Sequence, residues 1–232
     1  MLDISLRPLK DRLFDPLTAA IPAFITPFQL TGLAFLSGIA SCSFAAHGDP
    51  PQALYCWLLN RILDCLDGAL ARRRNQSSDL GGFLDLLSDF IIYSAIPICC
   101  MLGLPTPVAL HTSSSGARLQ RRWLAVALAE ASFHVNNFVL FYVAAVTEKK
   151  RADRAVAAGG KGKEKEKDDR QVKELTSVSM RPALIEGTES GAIFTLMLIR
   201  PYWTEMLCFV LSAAVAIGIV QRVSWTVKAL ST

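Results

Sequence analysis

Residues 81–104 read GGFLDLLSDFIIYSAIPICCMLGL, a run of 24 residues with two aspartates and no basic residue. A helix needs about 20 predominantly apolar residues to cross a bilayer core, so this run is long enough to span one. Immediately upstream, Gln52–Ala71 is a second apolar run, ending in Arg72-Arg73-Arg74. A short polar connection separates the two, so a tight turn between helices is expected at one membrane boundary. The pair sets the class: an all-α integral membrane protein.

Working outward, the first span is expected from about Ile21 to Ala46, interrupted near its start by Pro22 and Pro27. The turn His47-Gly48-Asp49-Pro50-Pro51 leads into the second span. After the third, Pro105–Arg122 is a connection rich in Ser, Thr and Pro, followed by a fourth span over Trp123–Val146. Spans five and six are expected over Pro182–Ile199 and Tyr202–Val220. Residues 21–232 thus form one domain of six transmembrane helices. Between the fourth and fifth, residues 148–180 form a low-complexity, mixed-charge loop that cannot bury a core. Upstream, Leu2, Leu6, Leu9, Leu13 and Leu17 recur at helical spacing with Arg7, Lys10 and Arg12 between them. Residues 1–20 therefore read as an amphipathic helix lying in the membrane interface, not as a secretory signal with an apolar h-region.

Lys and Arg in the loops set the orientation. The side holding both tails, the Arg72–Arg74 turn and the 148–181 loop carries 19 basic residues against 4 on the other side. Both termini and the Arg72–Arg74 turn are expected to face the cytoplasm; which membrane is involved stays open.

Composition agrees. The chain has 232 residues, 52% of them hydrophobic, and a mean hydropathy of +0.35. Many of its charges fall between Lys149 and Glu174, leaving the remainder more apolar than the average. Disordered proteins, disulfide scaffolds and ordinary soluble enzymes are excluded. A net charge of +4 without interleaved basic and aromatic residues gives no reason to expect nucleic acid. The six cysteines lack the C-x2-C spacing of a zinc site and read as reduced packing residues.

Packing alone does not explain Asp64, Asp67, Asp85 and Asp89, which lie in otherwise apolar helices. An intramembrane carboxylate is costly and marks a functional site by default. Asp64 and Asp67 are three apart, Asp85 and Asp89 four apart, so each pair shares a helix face. Four like charges cannot all stay ionised in a partly dry site without cations. Oxygen ligands without Cys or His favour hard ions, Mg²⁺ or Mn²⁺, and two of them would form a clamp suited to phosphoryl transfer. Gly68 and Ala71 remove bulk beside the acids, Arg72 offers a phosphate-binding fork, and Gly81 and Gly82 open the third helix where its N–H groups could face an anion.

Written out, the stretch is Asp64-x2-Asp67-Gly68-x2-Ala71-Arg72-x8-Gly81-x3-Asp85-x3-Asp89. It resembles the signature of the CDP-alcohol phosphatidyltransferase family, with every fixed position and the gap length matched. The resemblance implies a phospholipid synthase that moves a phosphatidyl group from CDP-diacylglycerol to an alcohol acceptor with release of CMP. It implies that Asp64, Asp67 and Asp85 bind two metal ions. Asp89 would complete the metal site and serve as the catalytic base, while Gly68, Ala71, Arg72 and Gly81 line the CDP site. Expected partners are CDP-diacylglycerol, the acceptor and membrane lipid, with a homodimer compatible. The segment Ile25–Thr31 lacks the Arg that related enzymes often carry there, and the core signature does not require Glu186 or Glu189. The acceptor therefore stays open among glycerol phosphate, inositol or its phosphate, serine and a lipid.

A divalent-cation carrier would also use intramembrane acids, but it has no use for Gly68, Ala71, Arg72 and Gly81. Arg73 and Arg74 read as a positive-inside anchor. His134, Asn136 and Asn137 fall mid-span in the fourth helix and read as interhelical hydrogen-bonding residues.

Overall fold

A computed structural model describes residues 14, 16–105, 113–157 and 187–230. Among them, the long elements are six α-helices: α1 (Pro27–Ala46), α2 (Pro50–Arg73), α3 (Asp79–Leu102), α4 (Ser113–Ala157), α5 (Gly187–Ile199) and α6 (Thr204–Leu230), with a 3-10 turn at Pro201–Trp203 and no strand. Helices α1 and α3, residues 116–150 of α4, and residues 201–228 are long and apolar enough to cross a membrane. The chain is an all-helical, multi-pass membrane protein.

Local sequence explains where the helices start. Thr26 caps α1 reciprocally: its hydroxyl accepts from the Gln29 N–H at 3.3 Å, and its own N–H donates to Gln29 Oε1 at 2.9 Å. Proline follows at the first helical position, where no N–H is needed. This cap moves the start of the first helix from the expected Ile21 to Pro27. Asp49 caps α2 through the Gln52 N–H, and Ser78 caps α3 through the Gly81 N–H at 3.1 Å.

Helix α4 exceeds expectation at both ends. It already includes residues 113–122, expected as a connection, and continues through residues 148–157. Residues 117–122 (Ala-Arg-Leu-Gln-Arg-Arg) in the first extension, and Glu, Lys, Arg and Ala in the second, are strong helix formers. The remainder of the charged loop, residues 1–13 of the amphipathic segment and Glu186 lie outside the described residues; residues 16–20 are helical.

Helix α1 packs against both α2 and α3, α4 packs along α6, and α5 lies against α2 and α3. The core joining these groups contains Trp57, Ile92, Ile96, Phe194, Met197, Leu198, Cys208 and Leu211, all essentially inaccessible. Phe194 sits edge-on to Trp57 and Tyr93, with ring centroids 6.1 and 5.1 Å away. Large apolar residues such as Leu33, Leu36, Phe138 and Val220 face outward, as a lipid-facing surface requires.

Two glycines permit the closest approaches. A Cβ on Gly38 would lie 2.8 Å from the Ile92 side chain, and one on Gly103 would lie 2.0 Å from the Ala45 carbonyl oxygen. Both positions join α1 to α3 or to its end. Asn136 does hydrogen-bond between helices, accepting from Arg222 Nη1 at 2.5 Å, whereas His134 is exposed on α4. Arg222, expected in the C-terminal tail, is instead buried within α6, because the helix continues ten residues past Val220.

Candidate active site

The turn after α2 brings the two acidic pairs to one end of the bundle. Arg74 caps α2, Asn75 takes a left-handed conformation (φ 54°), the Asn75 N–H reaches the Arg72 carbonyl at 3.2 Å, and the Gln76 N–H reaches the Ala71 carbonyl at 2.9 Å. This is the Schellman pattern, with asparagine, which tolerates the left-handed region, in the place usually held by glycine. Three residues later Ser78 starts α3 in the opposite sense. The backbones of α2 and α3 pack far less closely against each other than each does against α1. The acids therefore face one another across a gap that side chains must bridge.

Asp67 is the most buried of the four, 4% exposed, and accepts from the Thr31 hydroxyl of α1 at 2.5 Å. Asp85 interacts electrostatically with Asp64, Asp67 and Asp89. The side chains of Asp64 and Asp89 are 24% and 30% exposed. All four expected acids are thus neighbours.

The residue that joins them escaped the sequence reading. Arg61, on α2 one turn before Asp64, pairs with Asp89 Oδ1 through Nη2 at 2.5 Å and approaches Asp64 Oδ2 at 3.7 Å. Its Nε donates to Asn60 Oδ1 and its Nη1 to the Tyr93 hydroxyl, each at 2.8 Å. The guanidinium also lies over the Trp57 and Tyr93 rings, 4.9 and 5.2 Å from their centroids. The available signal was a basic residue inside an apolar helix at i−3 from an acid. Thr31 gave only the weaker signal of a hydroxyl in an apolar helix.

The remaining expected residues flank this centre. Arg72 is exposed and folds back over Gly68, where an added Cβ would stand 3.3 Å from Arg72 Nη1. Ala71 is half-buried beside it. Gly81 sits in the first turn of α3, its N–H engaged by Ser78 Oγ. Arg74 ties this end to the segment before α1, donating to the carbonyls of Ile25, Ile21 and Pro22 at 2.6–3.1 Å, while Arg73 reaches Thr18. Both have these structural contacts in addition to their charge. Glu189 is half-buried at the start of α5.

The sequence model of the CDP-alcohol phosphatidyltransferase family matches residues 20–165, which include the whole acidic centre. The chain belongs to that family. CDP-alcohol phosphatidyltransferases are phospholipid-synthesising transferases that use divalent metal ions, and membership does not favour the cation-carrier alternative.

Three relatives carry the likeness in more detail. The inner membrane protein YnjF of Escherichia coli (strain K12) is 43% identical over 111 residues, 47% of this chain and 53% of that protein. The archaetidylinositol phosphate synthase of Methanothermobacter thermautotrophicus is 39% identical over 111 residues, 46% of this chain and 56% of that protein. A bifunctional IPC transferase and DIPP synthase of Thermococcus kodakarensis is 35% identical over 83 residues, 36% of this chain and 19% of that protein. The chain spans about half the length of the first two.

In number, charge and donor type, the four carboxylates suit two hard divalent ions. Among the described residues, however, no three Asp, Glu, His or Cys groups stand in metal-holding geometry. Arg61 lies between Asp64 and Asp89, and Thr31 engages Asp67. The donor set fits; the acids would have to rearrange around these two partners to close on an ion.

Proposed function

We propose that this phosphatidyltransferase moves the phosphatidyl group of CDP-diacylglycerol to an alcohol acceptor and releases CMP. Asp64, Asp67 and Asp85 hold two Mg²⁺ or Mn²⁺ ions, with Asp89 at the outer edge of the same set. The ions supply neutralisation of the pyrophosphate and of charge developing on the leaving CMP. Gly68, Ala71 and Gly81 let the nucleotide approach the helix backbones, and Arg72 offers its fork to phosphate. Asp89 lies one turn beyond Asp85 and takes the proton of the acceptor hydroxyl as its oxygen attacks the lipid-side phosphorus.

The observation that carries this reading is the convergence of all four signature acids from α2 and α3 at one end of the bundle. Helix α2 has 24 residues, about 36 Å at 1.5 Å per residue, and is long enough for a further span. The 13 described residues of α5 cover about 20 Å, so the remaining span of the six rests on the apolar run Pro182–Ile199 in the sequence. The excess of Lys and Arg on the side of the two tails supports a cytoplasmic placement of both termini and the acids.

For the acceptor we take an inositol phosphate first, on the 39% identity to archaetidylinositol phosphate synthase. Full-length protein in lipid nanodiscs, given CDP-diacylglycerol and Mg²⁺, should release CMP when an inositol phosphate is added. Serine, glycerol phosphate and free inositol are the comparison acceptors. CMP release with one of these instead would replace the acceptor, and no release with any would reject the transferase reading.

A further inference from the structure

An arginine in an apolar helix is costly unless its donors and its charge are both used. Arg61 uses both, and four helices converge on it. Its Nε acceptor, Asn60 Oδ1, is aimed by the Asn60 amide, which donates to the Ala34 carbonyl of α1 at 2.8 Å. The Trp57 ring beneath it is fixed by its own Nε1, which donates to Thr195 Oγ1 of α5 at 2.8 Å. Tyr93, which accepts from Nη1 and stacks beside the guanidinium, comes from α3 and packs on Phe194 of α5. A simple tie between two helices would not need this much support. The arrangement fixes the plane of the guanidinium, and the Nη2 edge then sets the position of one Asp89 oxygen.

Resting on the transferase reading, we propose that Arg61 is a positioning residue acting through Asp89. It holds Oδ1 of that carboxylate and leaves Oδ2 to meet the acceptor hydroxyl. Its fixed charge also limits how tightly the neighbouring acids take divalent ions. The two roles have opposite consequences on removal. Losing the fork misaligns Asp89 and slows the reaction, whereas losing the charge removes repulsion and strengthens ion binding. A residue that only supported the fold would weaken both.

The test uses the full-length protein in nanodiscs without substrate, titrated with Mn²⁺ while free Mn²⁺ is read by electron paramagnetic resonance. Arg61→Gln should bind Mn²⁺ about ten-fold more tightly than the unaltered chain, because a positive charge 3.7 Å from the Asp64 carboxylate has gone. With CDP-diacylglycerol and acceptor, its turnover should fall about 10²-fold, within the range that general-base catalysis contributes. Combining Arg61→Gln with Asp89→Asn should slow turnover no further than Asp89→Asn alone, since both changes remove one function. Unchanged or weaker Mn²⁺ binding by folded Arg61→Gln, or multiplicative losses in the double variant, would overturn the proposal.

Arg61→Lys keeps the charge and covers the case in which Arg61→Gln does not fold. It should bind Mn²⁺ within about two-fold of the unaltered chain yet turn over roughly ten-fold more slowly, since an ammonium lacks the planar fork. Full turnover in Arg61→Lys would also overturn the proposal. Failure of the unaltered chain to release CMP with every acceptor rejects the transferase reading instead, and the Mn²⁺ comparison still decides the role of the charge.

Discussion

Asp89→Asn separates the chemistry of the site from its architecture. The substitution keeps the shape and an Oδ1 acceptor for Arg61 Nη2, now 2.5 Å from the carboxylate, but removes the charge and the basic oxygen. Breaking a buried ion pair by removing one partner costs about 3–5 kcal/mol. Here the two side chains are 22% and 30% exposed and the amide still accepts, so a loss of about 1–2 kcal/mol of stability is the reasonable scale after allowing for solvent. Proton transfer by a positioned base is worth about 10²–10⁴-fold. Single-turnover CMP release should therefore slow by that factor while the affinity for CDP-diacylglycerol, measured by competition, changes much less. Thermal unfolding in the same nanodiscs would show whether the protein remains folded. Normal turnover would make Asp89 an outer ligand or a structural acid. Loss of nucleotide and metal binding as severe as that in Asp85→Asn would refute the division of labour between them.

Thorough chelation should abolish CMP release and readdition of Mg²⁺ or Mn²⁺ should restore it; activity that persists undiminished would count against the metal site. Gly103→Ala should destabilise the bundle by about 3 kcal/mol or more, the scale of overpacking a rigid contact, because the new methyl would sit 2.0 Å from the Ala45 carbonyl oxygen. A melting temperature unchanged from that of the parent would show that α1 and the end of α3 can separate freely. Removing residues 159–170, a mixed-charge stretch without an apolar anchor, should leave turnover within about two-fold, since the closure entropy of a long loop changes little with its length. Loss of CMP release by a folded, inserted deletion would assign that stretch a part in the reaction.

The helical class was legible because apolar runs separated by charged or proline-containing turns carry their own signal. The acids were legible for the complementary reason: Asp64, Asp67, Asp85 and Asp89 each violate the apolar pattern at helical spacing. Helix ends were less so. The start of α1 depends on a reciprocal bond between Thr26 and Gln29 across the Pro27 position, and both ends of α4 depend on helix propensity overriding a polar composition. Arg61 was missed because its meaning is tertiary. Its partners Tyr93 and Asp89 lie 32 and 28 residues away in sequence, and nothing local aims a guanidinium at them. Arg222 was misplaced for a related reason, since a basic residue near the end of a span looks like a tail anchor until Asn136 is seen opposite it. A tight turn between α2 and α3 was expected and is present, but its left-handed Asn75 was not read from the sequence, nor was α1 lying against both helices and leaving the acids to face each other across a gap.

The central claim is that four aspartates from two helices form a two-ion site for a CDP-linked lipid. Direct Mn²⁺ titration of the full-length protein in nanodiscs containing CDP-diacylglycerol measures it. The account predicts two ions per chain, with at least one lost in each of Asp64→Asn, Asp67→Asn and Asp85→Asn. Fewer than two ions in the unaltered chain, or two ions retained unchanged in Asp85→Asn, would contradict it.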